Sequence, residues 1–282
     1  MKKKKQIYLK KKYHIIIKIA FFTLSSFIFL FSLFKIILWN VENKKTANLE
    51  TIIKEKVEIV EIKETQNPIE EETNLVNEPS TETDIYWKYN DVSLIDVNLN
   101  ELKKDNADTI GWIQVLGTDI NYPIVQADNN DYYLKRDFSK KRNTGGWIFL
   151  DYRNNINNLS NNNIIYGHMR KNGSMFGSLK NVLTNNWQNN SNNHLIKIST
   201  EQYSYLFQVF SIYTIPNETY YIQTDFDNIK NYKDFLNTIV NRSIYNFNTE
   251  INQEAKILTL STCHNNDDRL AVHAKLIKAQ KK

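Results

Sequence analysis

The sequence contains one cysteine, Cys263, in 282 residues. A single cysteine excludes an internal disulfide, yet the rest of the chain has the pattern of an exported protein, in which thiols usually pair or are absent. Cys263 ends an apolar, strand-like run that starts at Lys256. It is therefore either a small buried hydrophobic residue or a thiol retained for its reactivity.

A signal-peptidase cleavage site is also missing. The apolar segment 15–39 follows a lysine-rich tail at 1–14 and leads into bulky and polar residues, which argues against the alternative of a cleaved signal peptide. Lys18 and Lys35 lie where long side chains can extend to lipid headgroups, and Trp39 falls at the expected interface. The sequence predicts a single-pass membrane anchor at 15–39, with the N-terminus in the cytoplasm and the remaining chain extracellular.

The charge pattern gives no indication of nucleic-acid binding. The seven lysines of the tail at 1–14 more than account for the formal net charge of +5, so the remaining chain is close to neutral. Residues 40–90 are rich in Glu, contain Pro68 and Pro79, and have no aromatic residue before Tyr86. This composition predicts a solvated polar stalk, with a short coiled coil as the alternative.

Residues 91–282 have the length of one domain with a substantial core. No internal repeat is visible, and short β-type segments alternate with Asn-rich turns, which predicts a mostly β barrel or sandwich. The predicted strands are 109–115, 122–126, 146–150, 163–166, 194–198, 203–213, 256–262 and 270–277. Helical patterns occur at 98–104 and at 227–245, the longer one preceding the strand that ends at Cys263. A soluble fragment starting near Asp84 is expected to fold and to be active.

A thiol becomes a strong nucleophile as the thiolate, and a neighbouring imidazole is its usual activator. Of the five histidines, His168 is the best candidate, because it follows a strand and a flexible glycine and can reach across the mouth of a barrel. The other four are less suitable: His14 abuts the membrane segment, His194 is predicted to be exposed, His264 would point away from Cys263 in an extended chain, and His273 lies within a strand.

Arg269 follows Cys263 by six residues, at the start of the last predicted strand. A guanidinium near a thiol lowers the thiol pKa and can hold the oxyanion of a tetrahedral intermediate. The alternative is an arginine at the rim of the barrel, paired with Asp267 or Asp268.

Taken together, these segments resemble the sortase signature. The resemblance rests on Ile164–His168, on Thr259–Cys263 and on Arg269, which directly precedes the apolar strand 270–275. The Gly-Ser-Met-Phe-Gly run at 173–177, the segment 147–154 and the two helical stretches are similar to class B sortases in particular. The resemblance implies a closed sortase-like β-barrel, with an N-terminal helix and a long helix inserted before the strand that carries the cysteine.

The resemblance also implies cysteine transpeptidation, with Cys263 as nucleophile, His168 as acid and base, and Arg269 as the residue that positions substrate and stabilises the oxyanion. Its expected partners are surface proteins that carry a sorting motif of the Asn-Pro-x-Thr-Asn or Pro-x-Thr-Gly type. The expected acceptor is an amine of a peptidoglycan precursor or of a pilin.

Two other functions stay open from the residues alone. One is a membrane-anchored cysteine peptidase in which water resolves the thioester, although the order of histidine before cysteine is unlike papain. The other is a non-catalytic surface-binding module on the same fold.

No cofactor or metal is expected. The acidic run Asp128–Asp131 lacks the rest of a calcium-binding EF-hand loop and is predicted to form Asx turns.

Overall fold

The computed structural model describes residues 2–62, 89, 91–216, 218–263 and 268–282. The chain divides into two compact units, residues Met1–Leu49 and Glu50–Lys282.

The first unit is part of one long helix, α1, which spans Lys2–Glu55. Its large apolar side chains between Ile15 and Trp39 are exposed. From Tyr13 onward the helix is long and apolar enough to cross a membrane, and the most apolar window is not buried within the protein. One apolar N-terminal helix is thus present where the sequence predicts the anchor, and its exposed apolar surface is compatible with a lipid environment.

The second unit is built on a closed barrel of eight strands, so the prediction of a mostly β fold with a closed barrel is confirmed. Two short strands outside the barrel come first in the chain, β1 (Ile59–Ile62) and β2 (Leu94–Val97). The barrel strands are β3 (Thr109–Val115), β4 (Asn121–Val125), β5 (Phe149–Leu150), β6 (Asn162–His168), β7 (Leu195–Thr200), β8 (Tyr203–Pro216), β9 (Ile257–Cys263) and β10 (Asp268–Lys281). Around the barrel the order is β10-β8-β7-β3-β4-β5-β6-β9.

Shorter α-helices among the described residues include α2 (Asn100–Asp105), α3 (Asn185–Gln188) and α4 (Ile229–Asn241). The long helix predicted before the cysteine-bearing strand is α4. It begins where the Asn228 side chain accepts a hydrogen bond from the backbone N–H of Asn231, which is a standard N-terminal cap. Its buried residues Tyr232, Phe235, Leu236 and Ile239 recur at helical spacing and pack against one face of β8 and β10.

The segment predicted as a polar stalk, 40–90, differs from that prediction in its first part. Helix α1 continues through it to Glu55, and β1 pairs with β2 in antiparallel register, Ile59 with Val97. Ile53 is only 2% exposed. Residues 50–62 therefore belong with the barrel unit, because a deeply buried apolar residue and a paired strand both require a partner surface. The rest of the segment, apart from Tyr89, lies outside the described residues.

This packing predicts where a stable soluble fragment should begin. A fragment that starts at Glu50 should be more stable than one that starts at Asp84 by at least about 2 kcal/mol, because the shorter one loses β1 and the buried Ile53. Urea unfolding of both fragments, followed by circular dichroism, measures the difference. Equal unfolding free energies would show that 50–83 contributes nothing to the barrel.

Candidate active site

Strands β6 and β9 lie side by side in parallel, and their register brings two of the predicted site residues together. His168 is the partner of Cys263, as Tyr166 is of Ser261. Neighbouring strands of a sheet are about 4.8 Å apart, so partnered residues are direct neighbours. The carboxyl ends of the two strands thus set position 168 beside position 263.

Arg269 comes to the same place from the other side of β9. Strand β10 pairs with β9 in antiparallel register, with Ala271 opposite Ser261. Continuing that register by two residues sets Arg269 opposite Cys263. Arg269 is partly exposed and also pairs with Ile215 of β8. The structure therefore pairs His168 with Cys263, and the extended register puts Arg269 near the same end of β9.

The ring of His168 is held by a backbone carbonyl. Its Nε2 lies 2.9 Å from the carbonyl oxygen of Leu134. A carbonyl oxygen only accepts hydrogen bonds, so Nε2 carries a hydrogen whether the ring is neutral or charged. Nδ1 is consequently the nitrogen that gains and loses the proton. No sequence pattern indicated this contact, because Leu134 is far from His168 along the chain and contributes only its backbone.

Two glycines allow this close approach. Gly146 has a φ of +57°, and a Cβ there would come within 2.9 Å of the His168 ring and 2.6 Å of the Tyr133 carbonyl oxygen. A Cβ on Gly167 would lie 2.7 Å from the buried ring of Phe176. The loop that carries Leu134 and the side chain of Phe176 can therefore pack against the end of β6 only because these positions lack a side chain.

A buried hydrogen-bonded chain lies nearer the start of β9. Thr259 Oγ1 donates to Asn162 Oδ1 at 2.6 Å, so its one hydrogen is used. His273 Nδ1, 2.8 Å from Thr259 Oγ1, must then be the donor in that contact. His273 Nε2 accepts from the Tyr213 hydroxyl at 2.8 Å, and Tyr213 accepts from Tyr220 at 3.0 Å.

Complete burial lowers the pKa of His273 to about 3, so this histidine is neutral at physiological pH. Both ring nitrogens of His273 are hydrogen-bonded, one to Thr259 and the other to Tyr213, so we assign it a structural role. This agrees with the sequence, which made His273 a poorer candidate than His168 for activating the thiol.

His194, in contrast, is not the exposed residue that the sequence predicts. It is 7% exposed, and its ring packs on Trp187 and Phe247 with centroid distances of 5.0 and 4.8 Å. The prediction was wrong because the aromatic neighbours come from other parts of the chain. His264 lies outside the described residues.

A second polar cluster supports the end of β6. Asp151 is buried and accepts hydrogen bonds from Arg153 Nε at 2.8 Å, Arg153 Nη2 at 2.7 Å, the Tyr166 hydroxyl at 2.9 Å and Asn130 Nδ2 at 2.9 Å. Burial by itself raises the pKa of Asp151, but the hydrogen bonds outweigh it and the pKa is lowered. The resulting carboxylate ties Tyr166, two residues before His168, to the neighbouring loop. Sequence reasoning placed Asp151 only within the stretch 147–154.

The predicted Asx turn in the acidic run is confirmed. Asn129 Oδ1 accepts hydrogen bonds from the backbone N–H groups of Asp131 and Tyr132, both at 3.0 Å. Within the described ranges no group of three or more His, Cys, Asp or Glu side chains is arranged to hold a metal ion.

Comparison with known proteins is consistent with this geometry. The sequence model of the sortase domain matches residues 113–277. Sortase B of Listeria monocytogenes is 35% identical over 188 residues, which cover 64% of this chain and 74% of the relative. Sortase B of Staphylococcus aureus is 36% identical over 181 residues, covering 63% and 73% respectively.

Solved structures give the same result. The S. aureus sortase B–substrate complex matches with a TM-score of 0.60 and 35% identity, over 64% of this chain and 84% of the other. Sortase B complexed with triglycine has a TM-score of 0.60 and 35% identity, over 64% and 85%. Sortase B from B. anthracis in complex with AAEK1 has a TM-score of 0.59 and 42% identity, over 64% and 84%. The chain belongs to the sortase family, in its class B, and is a cysteine transpeptidase.

Proposed function

We propose that Cys263, His168 and Arg269 are the catalytic residues of this transpeptidase. The observation that carries the proposal is the parallel register of β6 and β9, in which His168 is the partner of Cys263. The antiparallel register of β9 and β10, observed up to Ala271 and Ser261, supports a place for Arg269 on the other side of Cys263 when it is extended by two residues. The resemblance of Thr259–Cys263 and Ile164–His168 to the sortase signature supports the same assignment.

In this mechanism the Cys263 thiolate attacks the carbonyl carbon of the threonine in a sorting motif. The bond from that carbon to the next nitrogen breaks, and the His168 imidazolium gives its Nδ1 proton to the departing amine. A thioester and a neutral imidazole remain. The incoming amine then attacks the thioester, His168 Nδ1 takes a proton from it, and the Cys263 thiolate leaves.

Arg269 stabilises the negative oxygen that forms in both steps. A planar guanidinium can bind the oxyanion and a backbone carbonyl of the substrate at once, which a compact ammonium cannot do. Arg269 is partly exposed and therefore accessible to a peptide.

The substrates we propose are exported proteins with a sorting motif of the Asn-Pro-x-Thr-Asn or Pro-x-Thr-Gly type. Sortase B has been solved as a complex with its substrate and as a complex with triglycine, a peptide with a free amino group. These relatives support a peptide acyl donor and, as acceptor, an amine of a peptidoglycan precursor or of a pilin subunit.

The enzyme is proposed to act at the outer face of the cell membrane. Segment 15–39 would anchor it, the lysine-rich tail would stay in the cytoplasm, and the barrel would face outward. Confining enzyme and substrate to one membrane raises their effective concentration, so tight binding is not required.

The test is intact-mass spectrometry of the full-length protein in detergent with a library of sorting-motif peptides. Because Cys263 is the only cysteine, an acyl adduct that hydroxylamine removes can be assigned to it without peptide mapping. We expect one motif class to give the adduct. Added triglycine should convert the adduct to a peptide extended by the nucleophile.

If the adduct releases only the free acid of the cleaved peptide, even with excess triglycine, the peptidase alternative is favoured over transfer to triglycine. Absence of any adduct across the library would favour a non-catalytic binding module.

A further inference from the structure

A cavity of about 250 Å³ lies on the barrel well away from the catalytic strands. Its floor is Gln208 of β8, and three chain segments surround it: Tyr89, residues 188–194 and residues 245–248. Gln208 lies seven residues before Ile215, the partner of Arg269, on the same strand. At about 3.3 Å per residue this corresponds to roughly 23 Å, so the cavity is separate from the proposed catalytic site.

Aromatic rings form the walls of this cavity. His194 and Phe247 meet edge to face at 4.8 Å, and Tyr245 meets Phe247 at 4.9 Å. His194 is fixed by the contact of its Nε2 with the Gln188 carbonyl oxygen at 2.8 Å. Tyr245 and Phe247 are both partly exposed, so part of their surface is accessible to a ligand.

The floor contains a buried hydrogen-bond acceptor. Gln208 is 7% exposed, and its Nε2 donates to Thr249 Oγ1 at 3.1 Å. The same side chain is hydrogen-bonded to Tyr89, which also lines the cavity, and its Oε1 is buried without a hydrogen-bond partner among the described residues. A buried amide oxygen without a partner is unfavourable, because folding has removed its hydrogen bonds to water, and a bound ligand or an ordered water is one explanation for such a group. A hydrogen-bond donor in the cavity would remove that cost.

The lining also limits the kind of ligand. Besides the aromatic rings it presents amides and a hydroxyl, from Gln188, Asn189, Ser191, Asn246 and Asn248, and none of the described lining residues is acidic or a lysine or arginine. A neutral ligand is therefore favoured over an anion or a cation. The volume lies below the usual 300–1,000 Å³ of drug-sized sites, which suits a single small ring.

We propose that this cavity binds a pyranose unit of a neutral sugar. The apolar face of the ring would pack on Phe247 and Tyr245, one hydroxyl would donate to Gln208 Oε1, and the rim amides would bind the others. The proposal does not depend on the transpeptidase chemistry. Free monosaccharides and the sugar units of a glycan chain both have such an apolar ring face and hydroxyl donors.

The test is saturation-transfer NMR on the full-length protein in dodecylphosphocholine, a detergent without a sugar headgroup. The probes are glucose, N-acetylglucosamine and the β-1,4-linked trimer of the latter. We expect saturable binding of at least one monosaccharide by the wild-type protein. If the trimer binds more tightly than the monosaccharides, the ligand is a sugar unit of a glycan chain. If the trimer and the monosaccharides bind equally well, the ligand is a free sugar.

The variants are Gln208→Leu, Phe247→Ala and, as a matched control, Gln223→Leu. Gln223 is exposed and lies outside the cavity. Gln208→Leu and Phe247→Ala should each weaken binding at least tenfold, with adduct formation at Cys263 unchanged, and Gln223→Leu should bind like the wild type.

No saturable binding of any probe to the wild type overturns the proposal, as does unchanged affinity in both cavity variants. Thermal unfolding of each variant is measured first. If Gln208→Leu does not fold, Phe247→Ala alone tests the proposal.

Discussion

Replacing Cys263 with alanine is expected to abolish both acyl-adduct formation and peptide transfer. The thiolate is the only proposed nucleophile, and alanine has no group that can form the thioester. The loss should reach the detection limit, at least about a thousandfold in kcat, because no second cysteine exists to take over. Intact-mass spectrometry and a transfer assay with triglycine measure the two steps separately.

Ser261→Ala is the matched control for that variant. Ser261 lies two residues earlier on β9 and is hydrogen-bonded to the Tyr221 hydroxyl at 2.9 Å. Its loss should cost about 1 kcal/mol of stability while the adduct still forms. Appreciable transfer by Cys263→Ala would rule out the covalent mechanism. A Cys263→Ala protein that unfolds under assay conditions would require Cys263→Ser in its place.

Replacing Arg269 with lysine is expected to be nearly as damaging as replacing it with alanine. Lysine keeps the positive charge but has no planar fork to bind the oxyanion and the substrate backbone together. Loss of one oxyanion donor costs about 3–4 kcal/mol of transition-state stabilisation. We therefore expect kcat/KM to fall about a hundredfold or more in both variants.

Arg242 provides the control for a surface arginine. It pairs with Glu218 at 3.1 Å, and both side chains are about 40% exposed, so the pair should contribute little to stability. Arg242→Lys should leave kcat/KM close to the wild-type value. If Arg269→Lys behaves like Arg242→Lys, Arg269 acts as a charge or as a rim ion-pair partner, and backbone N–H groups near Cys263 must hold the oxyanion.

Much of the barrel follows from local patterns in the sequence. All eight barrel strands overlap the predicted segments, and β3 spans the same residues as predicted, Thr109–Val115. Alternating apolar residues specify an extended chain with one face buried, and this information is contained in a few consecutive residues. The helix α4 was found for the same reason, because its apolar residues recur at helical spacing.

The sequence also determined which residue types could carry the chemistry. A lone cysteine at the end of a strand-like run and a histidine after a glycine at the end of another singled out Cys263 and His168. The long apolar segment near the N-terminus determined that one helix could cross a membrane.

Only the tertiary structure decided which strands are neighbours. Alternation predicts a strand but not its partner, and the parallel pairing that sets His168 beside Cys263 joins residues that are 95 positions apart. The same holds for the Leu134 carbonyl that holds the His168 ring, for the pairing of β1 with β2, and for the aromatic rings that bury His194. Each is a contact between distant segments, and its register is set by how the whole barrel closes around its core.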